Sequence, residues 1–129
     1  MRIAQPLFTW MSALALVGAA TSVQANQLDK IKQAGTISIG VDVGQAPFGM
    51  VNGEMKQVGS DVETAQLLAK DLGVKLNIVP VSPANRIPYL MTNKVNVVIA
   101  SFSITDERRK TVDFSVPYAV IQAAVSTTG

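Results

Sequence analysis

The 129-residue sequence contains neither cysteine nor histidine. Without cysteine there is no disulfide framework, no thiol nucleophile and no lipidated cysteine after a leader. Without histidine the commonest general base and the commonest metal ligand are both gone. Aromatic residues make up only 5% of the chain, and its one tryptophan lies in the apolar N-terminal stretch. Charge is nearly balanced, with 11 basic residues against 9 acidic. Such a balance supplies no long-range attraction for nucleic acid or an anionic membrane surface. The one long apolar run, residues 7–20, is broken by Thr9, Ser12 and Gly18 and is shorter than the ~20 residues a membrane span requires.

That run carries an address instead. Met1-Arg2 gives a short positive start, and Val23-Gln24-Ala25 places small residues at the −3 and −1 positions of a peptidase site. This is the plan of a cleaved secretory signal over residues 1–25. The expected mature chain, residues 26–129, is then exported, most simply to the periplasm, as a monomer.

Short strands and helices alternate from there. Residues 27–33 read as an amphipathic helix with Leu28 and Ile31 on one face, ended by Gly35. Residues 36–41 read as a strand covered on both faces. Asn52-Gly53 between apolar residues signals a hairpin. Ser60-Asp-Val-Glu63 has the spacing of a capping box, in which the Ser60 hydroxyl accepts from the backbone N–H of Glu63. The helix that follows runs to Leu72 with Val62, Ala65, Leu68, Ala69 and Leu72 on one stripe, and Gly73 ends it. A strand over 74–79 comes next, then a helix over 85–93 with Ile87, Leu90 and Met91 inward and Pro88 confined to its first turn. A strand over 95–100, a short helix capped by Thr105 and a last strand over 119–125 complete the order. Strand–helix–strand order of this kind predicts an α/β unit with a largely parallel sheet flanked by helices.

In open α/β sheets ligands gather at the carboxyl ends of the strands. The residues offered there are Asp42, Ser82, Arg86, Ser101, Ser103 and, one helical turn further, Arg108. No nucleophile–base pair is among them, so the set favours binding over catalysis, with no cofactor and no metal. Arg108 reads in two ways, as a solvated helix arginine among Asp106, Glu107, Arg109 and Lys110 or as a carboxylate contact. Asp42 reads equally as a ligand contact or as the capping residue of the turn before Pro47-Phe48. Phe48 and Phe102 both read as packing residues, Phe102 because it alternates away from Ser101 and Ser103.

At this point several segments resemble, in order and spacing, the extracellular solute-binding proteins of family 3. They are Leu28-Asp-Lys-Ile-Lys32, Gly40-Val-Asp-Val-Gly-Gln-Ala-Pro-Phe-Gly49, Gly59-Ser-Asp-Val-Glu63, Leu68-Ala-Lys-Asp-Leu-Gly73, Asn85-Arg-Ile-Pro-Tyr-Leu90, Ser103-Ile-Thr-Asp-Glu-Arg108 and Val112-Asp-Phe-Ser115. The resemblance implies a periplasmic-binding-protein-like (type II) lobe and a receptor that hands an amino acid to the membrane permease of an ABC transporter. It implies that Arg108 forms two hydrogen bonds to the ligand α-carboxylate, a role suited to a planar fork of charged donors. Ser103 adds a hydroxyl or backbone N–H, and the Ser101 carbonyl faces the ligand amino group. Asp42 and Arg86 stand where family members touch the ligand side chain, yet they point to opposite side-chain charges. An Asp42–Arg86 ion pair is one reconciliation of the two.

Two departures from the family pattern qualify this. Gln45 and Pro83 occupy positions where aromatic clamps often stand, so the expected ligand is small or polar. The chain is also much shorter than the family's members, so a second lobe, absent from this chain, is expected to supply the acid that holds the α-amino group. Two alternatives share the scaffold: a periplasmic cyclohexadienyl or arogenate dehydratase-like enzyme, and the ligand-sensing lobe of a signalling protein.

Overall fold

In the computed structural model, which describes residues 26–120, the order is α1 (Gln27–Ala34), β1 (Thr36–Val41), β2 (Met50–Val51), β3 (Gln57–Val58), α2 (Ser60–Leu72), β4 (Lys75–Pro80), α3 (Arg86–Met91), β5 (Val97–Ile99) and α4 (Asp106–Arg109). β1 is the centre of a parallel three-stranded sheet of order β4-β1-β5, and β2 and β3 form a separate antiparallel pair. This is the α/β architecture expected from the alternation. The signal segment lies outside the described residues, as does most of the strand expected over 119–125; the two described residues of that strand, Ala119 and Val120, are exposed.

The core forms where β1 meets α2. Ile37, Ile39 and Val41 of β1 pack with Val62, Ala65 and Ala69 of α2, joined by Ile31 and Ile99. Each fully buried Ile or Val contributes about 1.5–3 kcal/mol relative to exposure, so these few side chains carry much of the lobe's stability. Gly35 and Gly73 end α1 and α2 in the left-handed conformation, each donating its N–H back to the last turn.

Local expectations failed at identifiable points. The capping box does not form: α2 begins at Ser60 itself, Gly59 is the N-cap, and no side chain caps it. Gly59 adopts φ 121°, and a Cβ there would collide with the Phe48 carbonyl. That close approach lets Asp61 donate its N–H to the same carbonyl at 2.8 Å. The helix therefore starts one residue early, and Ser60 is already inside it. The expected hairpin forms, with β3 as its return strand. The Asn52 side-chain oxygen accepts from the N–H groups of Glu54 and Lys56, which opens the connection into a longer turn. Met91 is 59% exposed and Leu28 42% exposed, against the inward placement expected of each, because short helices on a three-stranded sheet cover only a narrow stripe. Strand β5 is shorter than expected at its start, where Asn96 leaves the ladder: its side-chain oxygen accepts from Ser38 N–H and its own N–H donates to the Ser38 carbonyl.

The register levels the strand ends. Val41 lies opposite Pro80 on one side and Ile99 on the other. Asp42, the Val81–Ser82 segment and the Ala100–Ser101 segment therefore leave the sheet at one rim.

Candidate functional site

Two arginines reach this rim from different elements. Arg108 lies on α4, which Thr105 starts by accepting from the Arg108 backbone N–H at 3.2 Å. Its Nη1 donates to the Ser103 carbonyl at 2.8 Å and to the Ser103 hydroxyl at 2.7 Å. Its Nε and Nη2 make no hydrogen bond among the described residues, so one edge of the guanidinium fork stays available. Half-exposed and held on one side, Arg108 is a donor pair pre-set for a planar anion. Arg109 and Lys110 are exposed beside it.

Arg86 opens α3 and is 5% exposed. Its Nη2 lies 2.6 Å from Asp42 Oδ2, and its Nη1 donates to the Ser101 carbonyl at 3.2 Å. The ion pair suggested as a reconciliation is thus present, and it is buried. Asp42 also keeps the turn role, its Oδ1 accepting from Gly44 N–H at 3.1 Å. Of the six residues offered at the rim, the structure joins Arg108 to Ser103 in one set, and in another Arg86 links Asp42 and the Ser101 carbonyl. Ser82 is exposed, its N–H donating to the Asn85 side chain.

Phe102 lies between the two sets. It packs, as expected, but for another reason: β5 ends at Ile99, so the strand alternation does not extend to Phe102, and its partners are Phe114 and the two guanidiniums. The Arg108 guanidinium carbon is 4.6 Å from its ring centroid and that of Arg86 is 5.4 Å away. Phe114 packs at 5.5 Å from the same ring. Phe48 lies outside the main cluster and lines a cleft instead.

Asp61 was missed altogether. It is 4% exposed, and its Oδ2 has no partner among the described residues. Burial pushes its carboxyl above the ordinary range; Arg86 pulls it back down and Asp42 pushes it further up. One signal could have found it, since Asp61, Ala65 and Ala69 fall at i, i+4 and i+8 on the buried stripe of α2. Asp61 also lines a largely apolar cleft of about 740 Å³, with Phe48, Ser101, Phe102 and Tyr118. The described residues contain no group of three or more acidic side chains placed to hold a metal.

Residues 37–129 match the bacterial extracellular solute-binding proteins, family 3. The chain belongs to this family. The L-cystine-binding protein TcyJ of Escherichia coli K12 is 39% identical over 100 residues, covering 76% of this chain and 38% of the relative. A cyclohexadienyl dehydratase of Pseudomonas aeruginosa is 32% identical over 109 residues, covering 84% and 41%. Among solved structures, the arginine-bound form of domain 1 from TmArgBP of T. maritima is 41% identical with a TM-score of 0.68, covering 70% of this chain and 71% of that one. The lobe described above therefore has the fold of one domain of a family 3 solute-binding protein. The chain spans about two fifths of the length of these curated relatives.

Proposed function

We propose that this chain forms the carboxylate-docking lobe of an extracytoplasmic receptor that captures a polar amino acid for an ABC-transporter permease. The observation that carries the reading is the Arg108 guanidinium, anchored through Nη1 on both oxygens of Ser103 with its other edge free. A free amino acid offers one planar carboxylate whatever its side chain, and a half-anchored fork at a strand-end rim is complementary to it. The Ser103 hydroxyl stands at the same place, and Ser101 marks the amino end of the ligand. Residues 1–25 act as a cleaved signal and residues 26–129 as the lobe. In the whole protein, a second lobe swings over the docked ligand and excludes water. The similarity to amino-acid-binding relatives supports the ligand class.

Calorimetry or NMR titration of the chain against a panel of L-amino acids tests this. Saturable binding that disappears in Arg108→Ala is the expected result. Absence of binding to every amino acid would overturn it.

One observation favours a second, enzymatic reading. Asp61 is a buried acid held toward its protonated form, and a dehydratase is among the relatives. Release of an aromatic product from arogenate, abolished by Asp61→Asn, would displace the receptor reading.

A further inference from the structure

Arg86 is surrounded as a bound cation would be. Its guanidinium meets the Asp42 carboxylate at 2.6 Å, the Ser101 carbonyl at 3.2 Å and the face of Phe102 at 5.4 Å. A carboxylate, a carbonyl and an aromatic face are what recognises a guanidinium in a receptor. The charge of a second buried carboxyl, Asp61, is felt at the same place. Asp61 Oδ2, an acceptor, and Arg86 Nε, a donor, are both buried without partners among the described residues, so the present occupant leaves hydrogen-bonding capacity around it unused. The side chain that fills it comes from the chain itself.

Phe102 ties this pocket to the dock. The guanidiniums of Arg86 and Arg108 both lie against its ring. A ligand with its carboxylate on Arg108 therefore has the Arg86 pocket as its neighbour.

We propose that Arg86 is a resident occupant of a guanidinium slot beside the Arg108 dock, and that it restricts the ligand to amino acids with uncharged polar side chains. The inference rests on the receptor reading above. A ligand with a cationic side chain would have to evict Arg86 from Asp42, leaving a buried guanidinium without its counter-charge. A ligand with an anionic side chain gains little, because Asp42 already neutralises Arg86 in a buried ion pair.

The test has two arms. In the first, the parent chain is titrated with L-glutamine, L-asparagine, L-serine, L-arginine, L-lysine and L-glutamate. Preference for the uncharged members is expected, and binding of arginine as tight as the best of them overturns the proposal. Absence of binding to all six removes the receptor reading and leaves the slot to be judged by the second arm. There, Arg86→Ala is melted with and without millimolar methylguanidinium, with the parent as control. Methylguanidinium should raise the melting temperature of the variant and leave the parent unchanged. L-arginine should bind Arg86→Ala about ten-fold more tightly than it binds the parent, the gain from one recovered charge-assisted hydrogen bond. Should Arg86→Ala be unfolded alone, recovery of its cooperative melt by methylguanidinium supports the slot. No recovery, or a folded variant indifferent to methylguanidinium, overturns it. Asp42→Asn/Arg86→Ala, which lacks the main carboxylate, should lose the methylguanidinium response.

Discussion

Arg108 donates through a single nitrogen, Nη1, to both the carbonyl and the hydroxyl oxygen of Ser103, at 2.8 and 2.7 Å. The two residues are five apart, and the turn between them carries the Thr105 cap that starts α4. The contact holds one edge of the guanidinium and leaves the other without a hydrogen bond among the described residues, so in the proposed docking role the ordering of a long side chain is met before binding. Such preorganisation raises affinity without adding a contact.

If Arg108 is the dock, Arg108→Ala removes amino-acid binding while the unfolding free energy falls by only about 1 kcal/mol, the net worth of its contacts to Ser103. Arg108→Lys keeps the charge but loses the planar fork, so its affinity should lie between parent and alanine variant. Calorimetry paired with urea melts separates these outcomes. Equal loss of binding and stability would mean that Arg108 is mainly structural.

Removing one charge of the Asp42–Arg86 pair should do the opposite. Asp42→Asn leaves a buried guanidinium without its counter-charge, at a cost of about 3–5 kcal/mol. The measurement is a urea melt followed by far-UV circular dichroism. A change below about 1 kcal/mol, the size of a surface ion pair, would show that the pair is solvated in solution.

Asp61 predicts a pH dependence of definite sign. Its folded-state value is raised above 3.8 by burial first, with Asp42 adding to the rise and Arg86 opposing it. The unfolded chain therefore releases this proton at lower pH than the folded one. Its contribution favours the folded state below 3.8 and is lost as pH rises toward the folded value. Asp61→Asn should raise the melting temperature at pH 7, with the gain shrinking as pH falls below the usual carboxylate range. A gain that stays constant with pH would assign the effect to packing.

Gly59 holds the start of α2 against the Phe48 carbonyl at φ 121°. Gly59→Ala should cost about 1–3 kcal/mol, the strain of an L-residue in that region. The cost grows if the Phe48 carbonyl shifts and weakens its bond from Asp61 N–H. A urea melt that matches the parent would show that the helix start can re-form with Ser60 as its cap.

Much of the fold was legible in the sequence because its causes are local. Alternation in Thr36–Val41, the inward stripe of α2, the glycines at 35 and 73 and the threonine at 105 each act within one pleat or one turn. The ordered motifs around Asn85–Arg86 and Ser103–Arg108 marked the rim and its residues for the same reason. The cap at Ser60 and the reason Phe102 packs were misread where the local rule gave way: to the Phe48 carbonyl in one case, to the end of β5 in the other. Asp61 went unseen because its segment was read as a capping box, which leaves position 61 without a role, and its spacing with Ala65 and Ala69 gains meaning once packing buries that face. What the sequence determined by itself was the α/β order, the strand-end rim and the supply of charged and hydroxyl groups there. What only the tertiary structure decided was their pairing. Asp42 and Arg86 stand 44 residues apart, and no periodicity links them. They meet because parallel pairing of β1 with its neighbours brings the strand exits level, and the buried rim then favours charge against charge.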